Sequence, residues 1–370
     1  MKMTTERILL AHGSGGKLSH DLVEKLFARR FSNAILDRMD DSAVLEIMGR
    51  KPGATSNRQR QGNISPHSLE LVGKLAFTTD SYVVSPIVFP GGDIGKLAVC
   101  GTVNDLCMSG AHPLYLSAGF IIEEGLSLDE LEGIVDSMAT TALQAGVAIV
   151  TGDTKVVDKG HADLLFINTS GVGIVPPEVN VSGSNARPGD VVLVSGTMGD
   201  HGMAILIQRE GLQFSSHLTS DCAPLNGLVE TIFASLNTEE SKCLVARVHC
   251  LRDPTRGGLI TTLNELAQAS AVGIEIEETA IPVCDPVRAA CELLGFDPLY
   301  VANEGKLVAI VTADIAQRVL EAMKAHPYGA NAAIIGEVTS SHAGKVIVRT
   351  ALGARRIAGM LAGEQLPRIC

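Results

Sequence analysis

The chain has 370 residues, of which 46% are hydrophobic and 4% aromatic, with 38 glycines and no tryptophan. Because single cores stop growing at about 250–300 residues, this length favours two domains. Acidic residues outnumber basic ones by 41 to 30, which gives a net charge of −11 and argues against nucleic acid as a partner. No stretch reaches transmembrane length and no signal-peptide pattern opens the chain, so we expect a cytoplasmic protein that does not associate with membranes.

Hydrophobic periodicity predicts alternating helices and strands in the first half of the chain. The helices are predicted over residues 19–31, 93–109 and 127–145, and the strands over 75–79, 149–151 and 164–175. Between two apolar, strand-like runs, residues 50–69 form a polar insert with glycine, proline, serine and asparagine. Its composition predicts a mobile surface loop.

The second half repeats the alternation after a Pro- and Gly-bearing break at residues 176–190. Strands are predicted over 191–195, 307–311, 333–338 and 345–349, and helices over 200–210, 258–270, 285–294 and 315–325. The pattern predicts two α+β domains, at 1–178 and 179–358, followed by a tail at 359–370.

The tail ends in Pro367-Arg368-Ile369-Cys370, so that a thiol is the last side chain of the sequence. Chain ends are the least constrained part of a domain, and the proline keeps this one extended. A frayed end that finishes in cysteine is the simplest interpretation. An exposed thiol is a liability unless its reactivity is used, so we interpret Cys370 as a carrier on a movable tail that belongs to no core.

The other cysteines show no CxxC spacing of the kind that binds zinc. Two pairs are spaced seven residues apart in apolar helical stretches, and each is expected to share a buried helix face: Cys100 with Cys107, and Cys284 with Cys291. Cys243 and Cys250 flank His249, and binding of a metal by these three residues is an alternative hypothesis. No second cysteine pair supports it.

Four acidic sites stand at strand ends or turns next to apolar stretches, where a carboxylate is costly. They are Asp41 (beside Asp40), Asp80, Asp105 and Asp153, and they are expected to converge at one end of a small sheet. Converging carboxylates need a cation, and their oxygens suit Mg²⁺ bridging nucleotide phosphates. The alternative is that each one caps a turn or helix. Asn104, next to Asp105, is included among the nucleotide ligands.

Three Gly-bearing segments are candidates for phosphate binding, because backbone amides at a helix start attract anions. They are His12-Gly13-Ser14-Gly15-Gly16-Lys17, Gly152-Asp153-Thr154-Lys155 and Arg256-Gly257-Gly258. The first lacks Walker spacing, and plain loops remain the alternative for the first and the third. Arg256 is expected to reach a phosphate or to pair with Asp253.

Glu304 stands in Asn303-Glu304-Gly305-Lys306, directly before a predicted strand. A carboxylate beside a glycine can approach a reacting group closely and act as a general base. A surface turn with a Glu–Lys pair is the alternative.

These motifs, together with Phe89-Pro90-Gly91-Gly92 and the terminal Pro-Arg-Ile-Cys, resemble the hydrogenase-maturation carbamoyl dehydratases, the HypE family. The resemblance covers nearly the whole chain, and the terminal cysteine in its setting is the specific signal. It implies a two-domain fold like that of aminoimidazole ribonucleotide (AIR) synthase, the PurM-like fold. It also implies a homodimer whose N-terminal strands pair into a shared barrel, with ATP in the adjacent cleft.

The resemblance further implies that a HypF-like carbamoyltransferase loads a carbamoyl group onto Cys370. ATP, held by Mg²⁺ on the acidic sites, would phosphorylate the carbamoyl oxygen, and Glu304 or Lys155 would assist removal of an N–H proton. The product is a thiocyanate on Cys370. A HypC–HypD-like iron scaffold would accept its cyano group as a ligand for a nickel–iron hydrogenase.

Two other functions fit parts of the pattern. A selenophosphate synthetase of the same superfamily would act on a diffusible substrate, but it carries its reactive residue near the first glycine loop, where this chain has His12 and Ser14. A non-catalytic shuttle would carry the group on Cys370 and use ATP only to switch conformation.

Overall fold

The computed structural model describes residues 16–50, 69–212, 218–237, 244–361, 366 and 369–370. The predictions for Gly13, Ser14 and Gly15, for nearly all of the 50–69 insert and for Cys243 lie outside the described residues. Among the described residues, no helix is long and apolar enough to cross a membrane.

The first half contains a five-stranded sheet in the order β1-β2-β7-β5-β6, in which only β5 and β6 pair in parallel. Its strands are β1 (Ala43–Arg50), β2 (Leu69–Tyr82), β5 (His112–Glu123), β6 (Ala148–Val157) and β7 (Leu165–Val175), and β3 (Val88–Phe89) and β4 (Gly92–Asp93) form a small hairpin. The helices are α1 (Lys17–Leu22), which continues through a π-helical segment (Val23–Ala28) into α2 (Arg29–Phe31), α3 (Ile94–Met108) and α4 (Leu128–Ala145).

The second half contains a seven-stranded sheet in the order β14-β13-β10-β12-β8-β11-β9, with one parallel pair, β10 and β13. Its strands are β8 (Asp190–Val194), β9 (Val248–Arg252), β10 (Gly273–Glu277), β11 (Val308–Thr312), β12 (Ala333–Thr339), β13 (Lys345–Arg349) and β14 (Arg355–Ala358). The helices are α5 (Asp200–Arg209), α6 (Asn226–Leu236), α7 (Gly258–Ala269), α8 (Asp285–Leu294) and α9 (Ala313–Lys324).

Helix α3 is buried along almost its whole length and packs against the first sheet, α4 and the second half. A helix that is apolar all round is a core helix, and this one begins where the Asp93 carboxylate accepts the backbone N–H groups of Gly95 and Lys96. One hydrophobic cluster contains residues of both halves, so the two halves share one core.

The α+β fold and most predicted elements are confirmed, with β5, β10, α6 and several shorter strands added. The first sheet ends at Val175 and the second begins at Asp190, on either side of the predicted boundary at 178/179. That boundary stays a prediction.

The cysteine predictions have mixed outcomes. Cys100 and Cys107 are buried on α3 as expected, whereas Cys284 precedes α8 and its thiol lies 3.2 Å from Asp200 Oδ1. His249 Nδ1 is bonded to Asp190 Oδ2 at 2.7 Å, which explains the buried histidine without a metal. In the described part of the chain, no three or more His, Cys, Asp or Glu side chains form a group that could hold a metal ion.

Candidate active site

Four carboxyl groups lie near enough to one another, between the two halves, to interact electrostatically: Asp80 of β2, Asp105 of α3, Asp253 of the β9–α7 loop and Glu304 before β11. Alternate residues of β2 face α3, so Thr78 and Asp80 point to the same side. The Thr78 hydroxyl donates to Asp105 Oδ2 at 2.8 Å. The structure therefore brings Asp80 and Asp105 to the same side of β2, but Asp105 lies inside α3 and not at a strand end or turn as expected. Their role as metal ligands stays a prediction.

The charged forms of Asp105 and Asp253 are disfavoured in this region. Burial, followed by repulsion from Asp253 and Asp80, raises the pKa of Asp105 well above its usual range. Burial and the nearby Asp41 raise the pKa of Asp253 to about 8. A buried group of mutually repelling carboxyls is the environment that a divalent cation stabilises.

Glu304 is fixed by its backbone, and its side chain is 3% exposed. Its N–H donates to Asp221 Oδ1 at 3.1 Å, and its carbonyl accepts from the side chain of Asn104 at 3.3 Å. A Cβ on the neighbouring Gly305 would come within 1.8 Å of the Asp221 carbonyl oxygen, so this approach requires glycine. Burial, then repulsion from Cys222 and Asp253, raises the pKa of Glu304 well above its usual value.

The end of the chain occupies this cleft. Ile369 is 6% exposed and belongs to the main hydrophobic core, and the half-buried Cys370 lies against Glu304. The expectation that the tail belongs to no core is therefore wrong for this state of the molecule, because Ile369 buries its apolar side chain. Burial raises the pKa of the Cys370 thiol, and the cationic Arg256 opposes that rise.

The third Gly-bearing segment brings its arginine to the same place. Cys370, followed by Asp80 and Glu304, raises the pKa of the Arg256 guanidinium. Gly257 and Gly258 have φ values of +82° and +64° and begin α7, which only glycine does without strain. Phosphate binding by this segment stays a prediction.

The Gly152-Asp153-Thr154-Lys155 segment lies elsewhere. Asp153 stands in one row with Ser81 across β6, β5, β7 and β2, on the face opposite Asp80 and about three strand spacings, or roughly 14 Å, away. Asp153 and Lys155 are exposed and bonded to each other, with Nζ 2.6 Å from Oδ2. Within one chain the structure does not bring Asp153, Lys155, Gly152 or Thr154 to Cys370.

The remaining predicted ligands are positioned by other contacts. Asp41 is paired with Arg252, and burial raises its pKa to about 6. Asn104 is 1% exposed, and its amide bonds backbone groups of the second half rather than facing the cleft. Gly16 is buried, and the Lys17 side chain is exposed while its backbone N–H donates to Leu361.

Sequence reasoning missed two residues of this region. Asp221, which anchors Glu304, and His201, which contacts the tail, stand in no motif and become visible only through long-range contacts. Asp253 had been interpreted only as a partner for Arg256.

Comparison with known proteins identifies the family. The model of the N-terminal domain of AIR synthase related proteins matches residues 64–175, and that of their C-terminal domain matches residues 187–349. Carbamoyl dehydratase HypE of Azotobacter vinelandii is 52% identical over 361 residues, covering 98% of this chain and 96% of the relative. The chain belongs to the HypE family.

Two solved HypE structures show the same fold. HypE in a HypE–HypF complex matches with a TM-score of 0.80 at 48% identity, covering 92% of this chain and 99% of that one. HypE in complex with ATP matches with a TM-score of 0.75 at 49% identity, covering 98% and 100%. The predicted HypE resemblance and AIR-synthase-like fold are confirmed.

Proposed function

We propose that this protein is an ATP-dependent carbamoyl dehydratase that converts an S-carbamoyl group on Cys370 into an S-cyano group. The observation that carries the proposal is the position of Cys370, which lies in the cleft beside Glu304 with Asp80 and Arg256 around it. The relatives are named carbamoyl dehydratases, and one HypE structure holds ATP.

The dehydration is coupled to transfer of the γ-phosphoryl group of ATP. The carbamoyl oxygen attacks the γ-phosphorus of ATP, and the bond from that phosphorus to the β,γ-bridging oxygen breaks to release ADP. The nitrogen then loses its protons, the C–O bond breaks and phosphate leaves, so that the atoms of the lost water end in phosphate and released protons. Arg256 is placed to hold the negative charge of the transferring group near the sulfur.

Glu304 is the proton acceptor in this proposal. Its raised pKa lowers the fraction of Glu304 that is ionised, and it makes the ionised carboxylate a stronger proton acceptor than an ordinary glutamate. Lys155, the other candidate, is exposed and paired with Asp153 on the far face of the sheet. A role for Lys155 at this sulfur therefore requires a second subunit.

The carboxyl groups fit Mg²⁺ by their chemistry, because carboxylate oxygens are the ligands that this ion prefers, although the described side chains do not form a ready-made ligand group. Asp80 and Asp105 would hold the ion from β2 and α3. When bound, it neutralises charge on the phosphates of ATP. Asp41 is already paired with Arg252 and is a weaker candidate ligand.

We propose a homodimer that forms through the first sheet. The face opposite α3 exposes Phe77, Tyr115 and Ile121, at 43%, 50% and 44%, and β6 is an edge strand. Asp153 and Lys155 share this face, so dimerisation would place them at the subunit boundary. Light scattering should show that Ile121→Glu is a monomer, whereas Leu143→Glu, which changes an exposed leucine of α4, stays dimeric.

We also propose a HypF-like carbamoyltransferase as the loading partner and a HypC–HypD-like iron scaffold as the acceptor. The first is supported by the HypE–HypF complex, which was solved with a relative 48% identical to this chain. The second follows from the chemistry, since the cyano group must leave Cys370 for iron.

Mass spectrometry of the Cys370 peptide tests the function. Carbamoylated protein should lose the mass of one water with ATP and Mg²⁺, and none with a non-hydrolysable ATP analogue. No loss with ATP would contradict the dehydratase and support a shuttle, whereas loss with the analogue would show that dehydration does not need ATP hydrolysis. A selenophosphate synthetase-like activity would instead consume ATP equally well after Cys370→Ala.

A further inference from the structure

The backbone of the tail makes one hydrogen bond to a buried side chain of the second half. His201 of α5 is fully buried, and its Nε2 lies 2.8 Å from the carbonyl oxygen of Ile369. Ile369 directly precedes Cys370, so this contact fixes the peptide group that carries the thiol.

The other ring nitrogen determines which nitrogen of His201 carries the proton. Its Nδ1 lies 2.7 Å from the hydroxyl of Ser220, which also accepts the N–H of Cys222 at 3.0 Å. Burial lowers the pKa of His201, so the ring is neutral at pH 7. With the Ser220 hydroxyl donating to Nδ1, the one ring proton sits on Nε2 and points at the tail.

The segment Phe89-Pro90-Gly91 of the first half fixes this pair from the opposite side. The Phe89 ring packs edge-on against the His201 ring at 5.5 Å between centroids, and the Pro90 carbonyl accepts the N–H of Ser220 at 2.8 Å. Gly91 has φ +97°, and a Cβ there would lie 2.8 Å from the Ser220 carbonyl oxygen. The motif thus fixes the geometry of His201 and Ser220.

We propose that His201, oriented by Ser220, is a positioning residue that latches the docked tail and thereby holds Cys370 against Glu304. His201 touches no reacting atom. When the tail leaves for a partner, the Nε2–H group of His201 loses its hydrogen-bond acceptor. Because an unsatisfied donor in a buried site costs free energy, the docked position of the tail is favoured. The Ile369 side chain adds apolar burial to the same docked state.

The inference rests on the proposed function for its catalytic consequence, but the docking itself is measurable without ATP. Asparagine at position 201 can still accept from Ser220 but is too short to reach Ile369, whereas glutamine places an N–H near the position of Nε2. The rate at which N-ethylmaleimide alkylates Cys370, followed on the C-terminal peptide, reports how often the tail is undocked.

His201→Asn should raise the alkylation rate about five- to tenfold, the factor for one net hydrogen bond, and should slow single-turnover dehydration without changing ATP affinity. His201→Gln should restore both values toward wild type. His326→Asn, which changes a histidine whose ring accepts the N–H of Tyr328, is the matched control and should change neither.

Wild-type alkylation of His201→Asn would overturn the latch. Should that variant melt well below wild type, Ser220→Ala, which leaves the ring unoriented, provides the second test. It should raise alkylation by a smaller factor, and an unchanged rate would equally overturn the latch. Failure of wild-type protein to dehydrate its carbamoyl group would count against the proposed function alone, because the alkylation rates would still decide the latch.

Discussion

The thiol of Cys370 and the carboxyl group of Glu304 lie against each other in the cleft, although the surroundings of each disfavour its charged form. Burial raises both pKa values, and Arg256 only partly opposes the rise for the thiol. The docked thiol is therefore protonated and a poor nucleophile. Acceptance of a carbamoyl group fits the undocked tail, and dehydration fits the docked one.

Glu304→Gln should slow dehydration of carbamoylated protein at least a hundredfold, because general-base catalysis typically accelerates a reaction by about 10²–10⁴-fold. ATP affinity should change little, because Glu304 acts on the nitrogen after phosphoryl transfer. Single-turnover mass spectrometry and calorimetric ATP titration measure the two effects. A wild-type dehydration rate would move the base elsewhere, with Lys155 of a second subunit as the next candidate.

Cys370→Ala should abolish thiocyanate formation and leave the thermal unfolding transition close to wild type, because it removes one half-buried sulfur. Deleting both Ile369 and Cys370 should cost more, about 1.5–3 kcal/mol for the lost burial of an isoleucine. Comparing the two unfolding curves measures how firmly the tail docks. Equal curves would mean that Ile369 contributes nothing to the core.

Asp80→Asn and Asp105→Asn should each weaken Mg²⁺–ATP binding, because each removes an anionic oxygen from the proposed cation site. Calorimetry with Mg²⁺–ATP measures this affinity. Asp129→Asn, in the first turn of α4, removes the same charge elsewhere and is the control. Unchanged affinity in both variants would make the two carboxylates structural.

Asp153 is tested by mixing subunits, since the structure separates it from Asp80 within one chain. If Asp153 acts across the dimer, a mixed dimer of Asp80→Asn and Asp153→Asn subunits regains one intact site and about half the activity, as expected for independent sites. If both residues act in one subunit, every site is defective and the mixture stays inactive.

The stability of the metal-free protein should depend on pH through Asp253. Its folded pKa of about 8 lies above the ordinary value near 3.9, so the folded state holds the proton more tightly. The contribution of this group is therefore fully present below about pH 4 and is lost as pH rises toward 8. Asp253→Asn should flatten the pH dependence of the melting temperature between pH 5 and 8, and an unchanged slope would show that Asp253 ionises normally.

Gly305→Ala should be strongly destabilising and should impair dehydration, since its Cβ would meet the Asp221 backbone that anchors Glu304. Gly133→Ala on α4 is the control, because nothing lies within 4 Å of a Cβ there. That control should stabilise by roughly 0.5–1 kcal/mol through helix propensity. Urea unfolding of both variants provides the comparison.

The sequence alone determined the two α+β halves, the terminal thiol and Glu304 as the candidate base, because periodicity and local motifs are short-range properties. It also grouped Asp80 with Asp105 as candidate ligands, although it expected both at strand ends or turns and Asp105 lies inside α3. Only the tertiary structure revealed the contacts between residues that are far apart in the sequence. Asp221 accepts the backbone N–H of Glu304, and His201 bonds the backbone of the tail. Strand register put Asp153 on the face opposite Asp80, since a residue's face depends on its parity in the strand and not on its motif.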